Sequence, residues 1–439
     1  MRKTGRLSLL QGTAMYVGAV LGTGVIALPA LAAEVAGPAS LLAWLLLVLA
    51  SAPLAGTFAA LGARYPDAGG VSTYARLAFG PRAAAVVGWC FYFAVPTGAA
   101  AAALFAGAYV ANALGGGEFA AALTASLLMV AVTVTNAFGV RLSGRVQLVL
   151  AGVLVVFLLV AVVLAVPHGE LANLRPFTPH GWLAIGPASA LLVWSFAGWE
   201  AITHLAAEFR RPARDLPRAT ASAVVVVGVL YLAVAFATVV VLGPAAATSK
   251  APLGELLAVA LGGDARLLAA AVALLLTFGT MNAYYAGAAK LGAALGRDGA
   301  LPGWLARGSS AGEVPRRSLI VNAGLSSVGL LAVVVSGVGP RPLVLWTTGL
   351  FVTVYAVGVA AAVKLLPTGG RGWLMSVVAL VIVLVLAVMT GWYLAWAAVV
   401  TACALLYLRV QGPAGALSTA SGSAPSELRP VGSVGSDRC

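Results

Sequence analysis

Two short stretches carry groups able to do chemistry, Gly22-Thr23-Gly24 and Phe196-Ala197-Gly198-Trp199-Glu200, and each interrupts an apolar run long enough to cross a bilayer. Glycine in a helix interior costs about 1 kcal/mol relative to alanine. Unwound backbone at membrane depth is tolerated only where it is enclosed by protein or lines a watery cavity. Such unwinding frees N–H groups at the start of the outer half-helix and C=O groups at the end of the inner one, and these ends carry opposite partial charges. The pair suits a small zwitterion. Its carboxylate would meet N–H groups beside Val20, at Gly22, Thr23 and Gly24, with the Thr23 hydroxyl as an extra donor, and its ammonium would meet carbonyls near Phe196 and Ala197, next to Gly198 and Trp199. The bland alternative makes these small residues close helix-packing positions. Two breaks at matching depth, each opening a set of five helices, favour a binding site in a carrier for a small polar solute.

Other residues could serve that site. Glu200 is a carboxylate well inside a helix, where a charge costs roughly 2.5 to 3.5 kcal/mol, so it should face the bundle. It reads either as a protonatable group or as a hydrogen-bonded carboxyl satisfying freed N–H groups. His204, one turn later, reads as a packed histidine. Asn282 is the chosen candidate on helix 8 for contact with substrate or a coupling ion, among Thr277, Thr280, Tyr284 and Tyr285. Pro96-Thr97-Gly98 should kink helix 3. Trp194 and Trp199 could close over an apolar side chain or act as interfacial anchors. Gating candidates lie in two connectors: Tyr65 in the Arg64–Arg76 hairpin, and Glu208 with Arg210 in the densely charged stretch that follows helix 6. Exposed ion pairs there contribute only about 0 to 1 kcal/mol each.

The elements that position these residues follow from composition. With 61% hydrophobic and 9% charged residues and a mean hydropathy of +1.01, the chain belongs in a membrane; soluble domains carry about 25% charge. Apolar runs of spanning length, about 20 residues each, predict an all-α integral membrane protein of twelve helices, centred near residues 20, 50, 98, 128, 156, 195, 230, 275, 327, 353, 380 and 400. With the N-terminus inside, only Arg175, Lys250, Arg266 and Arg341 of the 26 basic residues fall outside, which follows the positive-inside rule and places both termini in the cytoplasm. The net charge of +13 is therefore a topology signal, with weak attraction to anionic lipid, and not a nucleic-acid footprint.

The transporter domain is read as residues 1–409, and residues 410–439, rich in Gly, Ser, Ala and Pro, as a disordered cytoplasmic tail. Cys90, Cys403 and Cys439 are too few and scattered for disulfides or a metal site. His168 and His180 share an external loop, but no Cys or paired acid joins them. No cofactor or metal is expected, and no catalytic cluster or phosphate-cradling loop suggests an enzyme. A channel is the contrasting class, and broken helices favour a carrier over it.

Gly18–Ile26, Tyr65-Pro66-Asp67-Ala68-Gly69-Gly70, Phe196–Glu200 with Glu208, and Asp298-Gly299-Ala300-Leu301-Pro302 together resemble the amino acid-polyamine-organocation (APC) transporters, over about Leu7 to Arg409. Leu21–Ala33 and Glu200–Phe209 look most like the methionine and branched-chain amino acid exporters within them. The resemblance implies a LeuT-type fold: inverted repeats of five helices (about 7–166 and 184–364), helices 11 and 12 (about 371–409) appended, and substrate between broken helices 1 and 6, beside 3 and 8. It implies secondary transport of neutral amino acids across the plasma membrane, with export by proton antiport expected and an uptake permease of the same fold as the alternative. Proton-coupled uptake members place a lysine in helix 5; Val146–Val166 contains no ionisable residue, which leaves antiport, exchange or another proton site open. Lys290 stands where arginine is commoner. Oligomeric state is not written in the chain.

Overall fold

The computed structural model describes residues 9–66, 70–139, 144–200, 209, 211–309 and 313–411. The expectations for His204, Glu208, Arg210 and the tail fall outside the described residues, apart from Val410, which ends a helix, and Gln411. All regular secondary structure among the described residues is helical. Among the described residues, nine helical segments are long and apolar enough to cross a membrane; two of them, Gly24–Arg64 and Arg371–Val410, run to 41 and 40 residues.

The first apolar run is two helices. α1 (Leu9–Val20) stops where Gly22 N–H turns back to the Val20 carbonyl at 2.7 Å instead of continuing the i−4 ladder. After Leu21, Gly22 and Thr23 the chain starts again as α2 (Gly24–Ala36), which passes through a tight Gly37–Ala39 turn into α3 (Ser40–Arg64). A short α4 (Val71–Phe79) leads into α5 (Pro81–Leu114), whose 34 residues make it roughly 50 Å long at 1.5 Å per residue. That exceeds the roughly 30 Å hydrocarbon thickness, so α5 extends beyond it or tilts.

α5 is the central post. It packs against α6 (Glu118–Ala137), α11 (Ala265–Arg297), α12 (Arg316–Ser336), α13 (Arg341–Leu365), α15 (Leu394–Val410) and α4. Small residues allow this: a Cβ on Gly107 would run into the Ala121 carbonyl of α6, and one on Gly292 of α11 into Tyr92 of α5, the close approach that drives helix association in lipid. α7 (Gly144–Ala165), α9 (Pro212–Leu242) and the short α10 (Pro252–Leu261) close the side around α1, and α14 (Arg371–Thr390) lies on α3 and α13.

The outward faces are apolar, with Leu127, Val130, Val156, Val328, Leu331 and Val388 all more than half exposed. Surfaces of this kind are unusual in water and ordinary in lipid. The chain is a multi-pass membrane protein.

Candidate functional site

The second interruption lies in α8 (Ile185–Leu192), which tightens to a 3-10 turn at Val193–Phe196 and then leaves the helix at extended Ala197. Gly198 follows with φ +124, a conformation that favours glycine. A Cβ there would sit 2.9 Å from the Ala19 carbonyl oxygen. The two unwound stretches therefore cross in contact, Gly198 against the end of α1.

Tyr231 of α9 joins them from behind. Its hydroxyl lies 2.7 Å from both the Val20 and the Ser195 carbonyl oxygens, at the C-terminal end of α1 and in the 3-10 turn that follows α8. The Val20 carbonyl also accepts the Gly22 N–H at 2.7 Å. Trp44 and Phe196 pack on the Tyr231 ring at 5.0 and 5.2 Å. Tyr355 of α13 holds the second break from the other side: it donates to Glu200 Oε2 at 2.7 Å and approaches the Phe196 carbonyl at 3.3 Å. The same Oε2 accepts the Gly198 N–H at 3.0 Å. Of the two roles open to Glu200, this geometry displays the hydrogen-bonded carboxyl that satisfies freed backbone.

Between the breaks is a small cavity, with about 60 Å³ open to the centre of a water molecule and part of it continuous with the exterior. Of the residues singled out from sequence, Val20, Gly22, Thr23, Gly24 and Ala197 line it, as do Gly98, Trp194, Thr280 and Tyr284. Among the described residues, no Asp, Glu, Lys, Arg or His lines it. α2 begins at the cavity with no side-chain cap from Thr23, leaving first-turn N–H groups without intrahelical acceptors, while the Val20 and Ser195 carbonyls at the ends of the other two segments are held by Tyr231. Ala94, Val95, Ala99, Ala102, Met281 and Phe351 supply an apolar wall. Thr97 and Thr347 share a 2.7 Å hydrogen bond that ties α5 to α13 at this wall.

Several chosen residues lie elsewhere. Asn282 is a correction: it faces α6, where its Oδ1 accepts from Asn136 Nδ2 at 2.7 Å and Thr135 Oγ1 at 3.2 Å. Residues on α11 advance 100° each, so Asn282 turns away from the face that carries Thr280, Met281 and Tyr284. Trp199 is fully buried against Tyr16, with ring centroids 5.7 Å apart, and does not line the cavity. Phe196 packs behind the cavity on Trp44 and Tyr231, and Gly198 faces α1. Tyr65 sits at the end of α3, its hydroxyl 3.3 Å from the Leu365 carbonyl of α13, beside Lys364, which donates to the Ala78 carbonyl of α4 at 2.8 Å. This is a structural tie at one end of the bundle, remote in sequence from either break. Tyr231, Tyr355, Ser195 and Met281 escaped the sequence reading; tyrosines inside apolar runs were the available signal, because a buried phenol needs a partner.

Comparison with known proteins agrees with this architecture. The amino acid permease family profile matches residues 7–416. The chain is 33% identical over 406 residues to an uncharacterized amino acid permease, YecA, of Bacillus subtilis, covering 92% of this chain and 96% of the relative. It is 34% identical over 395 residues to the L-methionine/branched-chain amino acid exporter YjeH of Escherichia coli, covering 88% and 92%. It is 27% identical over 354 residues to the methylthioribose transporter of Bacillus subtilis, covering 74% and 76%. These relatives are transporters. On this whole-length likeness, carried by a helical membrane architecture, the chain belongs to the amino acid permease family of the APC superfamily.

Proposed function

We propose that this protein is a secondary carrier that exports neutral apolar amino acids, methionine and the branched-chain set, across the plasma membrane. The observation that carries the reading is the cavity itself: it is bounded by an N-terminal helix end and two C-terminal segment ends, walled by apolar side chains, and lined by no charged residue among the described residues. A zwitterion of zero net charge with an apolar side chain complements each of those surfaces. Likeness to an exporter of methionine and branched-chain amino acids supports the substrate class and the direction.

The architecture proposed is LeuT-type with twelve crossings. Two of the nine long segments are twice the length of a single crossing, and the shorter Leu9–Val20 and Trp182–Phe196 stretches belong to the two broken helices, which supports that count. Both termini are placed in the cytoplasm, and the 22 basic residues assigned to that side support it. Alternating access would come from movement of the broken helices around the fixed cavity, with export driven by proton antiport. Tyr65 and the connector bearing Glu208 and Arg210 are proposed to act at the cytoplasmic gate.

The test is flux of radiolabelled methionine and leucine in proteoliposomes with an imposed proton gradient, competed by unlabelled amino acids and by methylthioribose. Saturable flux driven against an opposing proton gradient and competed by amino acids establishes the proposal. Flux that rises when protons and substrate move together makes the protein an uptake symporter. Competition by methylthioribose alone replaces the substrate class, and unsaturable flux makes it a channel.

A further inference from the structure

α5 stays helical from Pro81 to Leu114 although Pro96 lies inside it. Proline has no N–H, so the carbonyl four residues back, that of Tyr92, loses its helical donor, and the ring crowds the same oxygen and bends the helix. In hydrocarbon no water replaces the missing donor. The Tyr92 carbonyl finds one on another helix: Asn322 Nδ2 of α12 lies 3.4 Å from it.

Asn322 is fully buried, in a helix that turns Ser318, Asn322 and Ser326, each one turn from the next, inward. An amide at this depth is costly unless it is hydrogen-bonded. Its Oδ1 has no partner among the described residues, so the bond from its nitrogen is what offsets the burial. The neighbouring serines complete the grip: the Tyr92 hydroxyl donates to the Ser318 carbonyl at 3.3 Å, and Ser326 Oγ donates to the Asn322 carbonyl at 2.9 Å. α12 therefore holds Tyr92 at both its hydroxyl and its carbonyl.

The proline lies within the cavity wall. Ala94 and Val95 come before it, Gly98, Ala99 and Ala102 after it, and all five line the cavity. The bend at Pro96 sets where these two halves of the wall stand relative to each other.

We infer that Asn322 is a positioning residue for substrate binding: its amide stands in for the N–H that Pro96 lacks and fixes the bend of α5 on which the wall is built. The inference rests on the reading of this cavity as the amino acid site, and it adds a residue that does not itself line the cavity.

The experiment is a double-mutant cycle of Asn322→Leu and Pro96→Ala, read as saturation of labelled leucine flux in proteoliposomes and as melting in detergent without substrate. Pro96→Ala returns an N–H to α5 and gives the Tyr92 carbonyl a helical donor, so the amide of Asn322 becomes dispensable there. Expected for Asn322→Leu alone is a roughly three- to tenfold higher Michaelis constant, the scale of one lost hydrogen bond, at an unchanged maximal flux, with a lower melting temperature. Added to Pro96→Ala, the same substitution should change neither quantity. If Asn322→Leu folds only together with Pro96→Ala, that rescue is the same result in a stronger form. An equal loss in both backgrounds, or failure to fold in both, overturns the inference, because Asn322 would then act independently of the proline. A lower melting temperature with an unchanged Michaelis constant overturns the positioning role, and no change in either removes it as well. A wild type without saturable leucine flux refutes the amino acid reading, while the melting cycle still decides whether Asn322 and Pro96 are coupled.

Discussion

Gly198→Ala tests the contact between the two breaks most directly. The native φ of +124 costs a residue with a Cβ about 1–3 kcal/mol. The new methyl would also stand 2.9 Å from the Ala19 carbonyl oxygen and 3.2 Å from its carbon. Because the neighbour is backbone, no rotamer change relieves the overlap, and overpacking of this kind costs about 1–3 kcal/mol more. The combined penalty is about 2–6 kcal/mol, and at about 1.4 kcal/mol per tenfold its lower bound corresponds to a roughly thirtyfold effect. It falls on the geometry that brings Val20, Ala197 and Gly24 around one cavity. We expect flux per folded protein in proteoliposomes to fall at least thirtyfold and the melting temperature in detergent to drop. Gly287→Ala is the matched control: it lies inside α11 with nothing within 4 Å of a new Cβ, and alanine there gains up to about 1 kcal/mol of helix propensity, so flux should hold. Wild-type flux and melting in Gly198→Ala would refute a tight crossing of the two breaks.

Tyr231→Phe keeps the ring packed on Trp44 and Phe196 but removes the hydroxyl shared by the Val20 and Ser195 carbonyls; a lost hydrogen bond of about 0.5–1.5 kcal/mol predicts a two- to tenfold weaker apparent affinity with the fold retained, read from saturation curves. Glu200→Gln keeps an acceptor for Gly198 N–H and Tyr355, so transport should stay within about threefold of wild type with the same pH profile, whereas Glu200→Ala, which leaves both donors buried without it, should lose about tenfold or more; a shifted pH profile in the glutamine variant would restore a proton role. Asn282→Ala should lower the melting temperature, because Asn136 loses one of its two acceptors, while the Michaelis constant stays unchanged; a changed Michaelis constant would put Asn282 back at the site.

Much of this was legible because it is local. Helix breaking by Gly22-Thr23-Gly24 and by Ala197-Gly198 depends on residues beside one another, and both interruptions occur there in the structure. Asn282 shows the limit. Periodicity places it on α11, but which face of α11 meets the cavity depends on the packing of α5 and α6 against it, and one step of rotation exchanges Met281 for Asn282.

The sequence by itself therefore determined that the chain spans a membrane, that its helices are interrupted at two points, and that the interruptions carry almost no formal charge. These are properties of hydrophobic length, glycine placement and composition, each set by neighbours within a few residues. Tertiary structure alone decided that the two interruptions touch, that Tyr231 and Tyr355 pin their freed carbonyls from separate helices, and that the enclosed space is faced by Ser195, Met281 and Phe351. Those outcomes depend on the rotation of helices far apart in sequence, which in lipid is settled by close packing of small residues and by the need to satisfy each buried polar group.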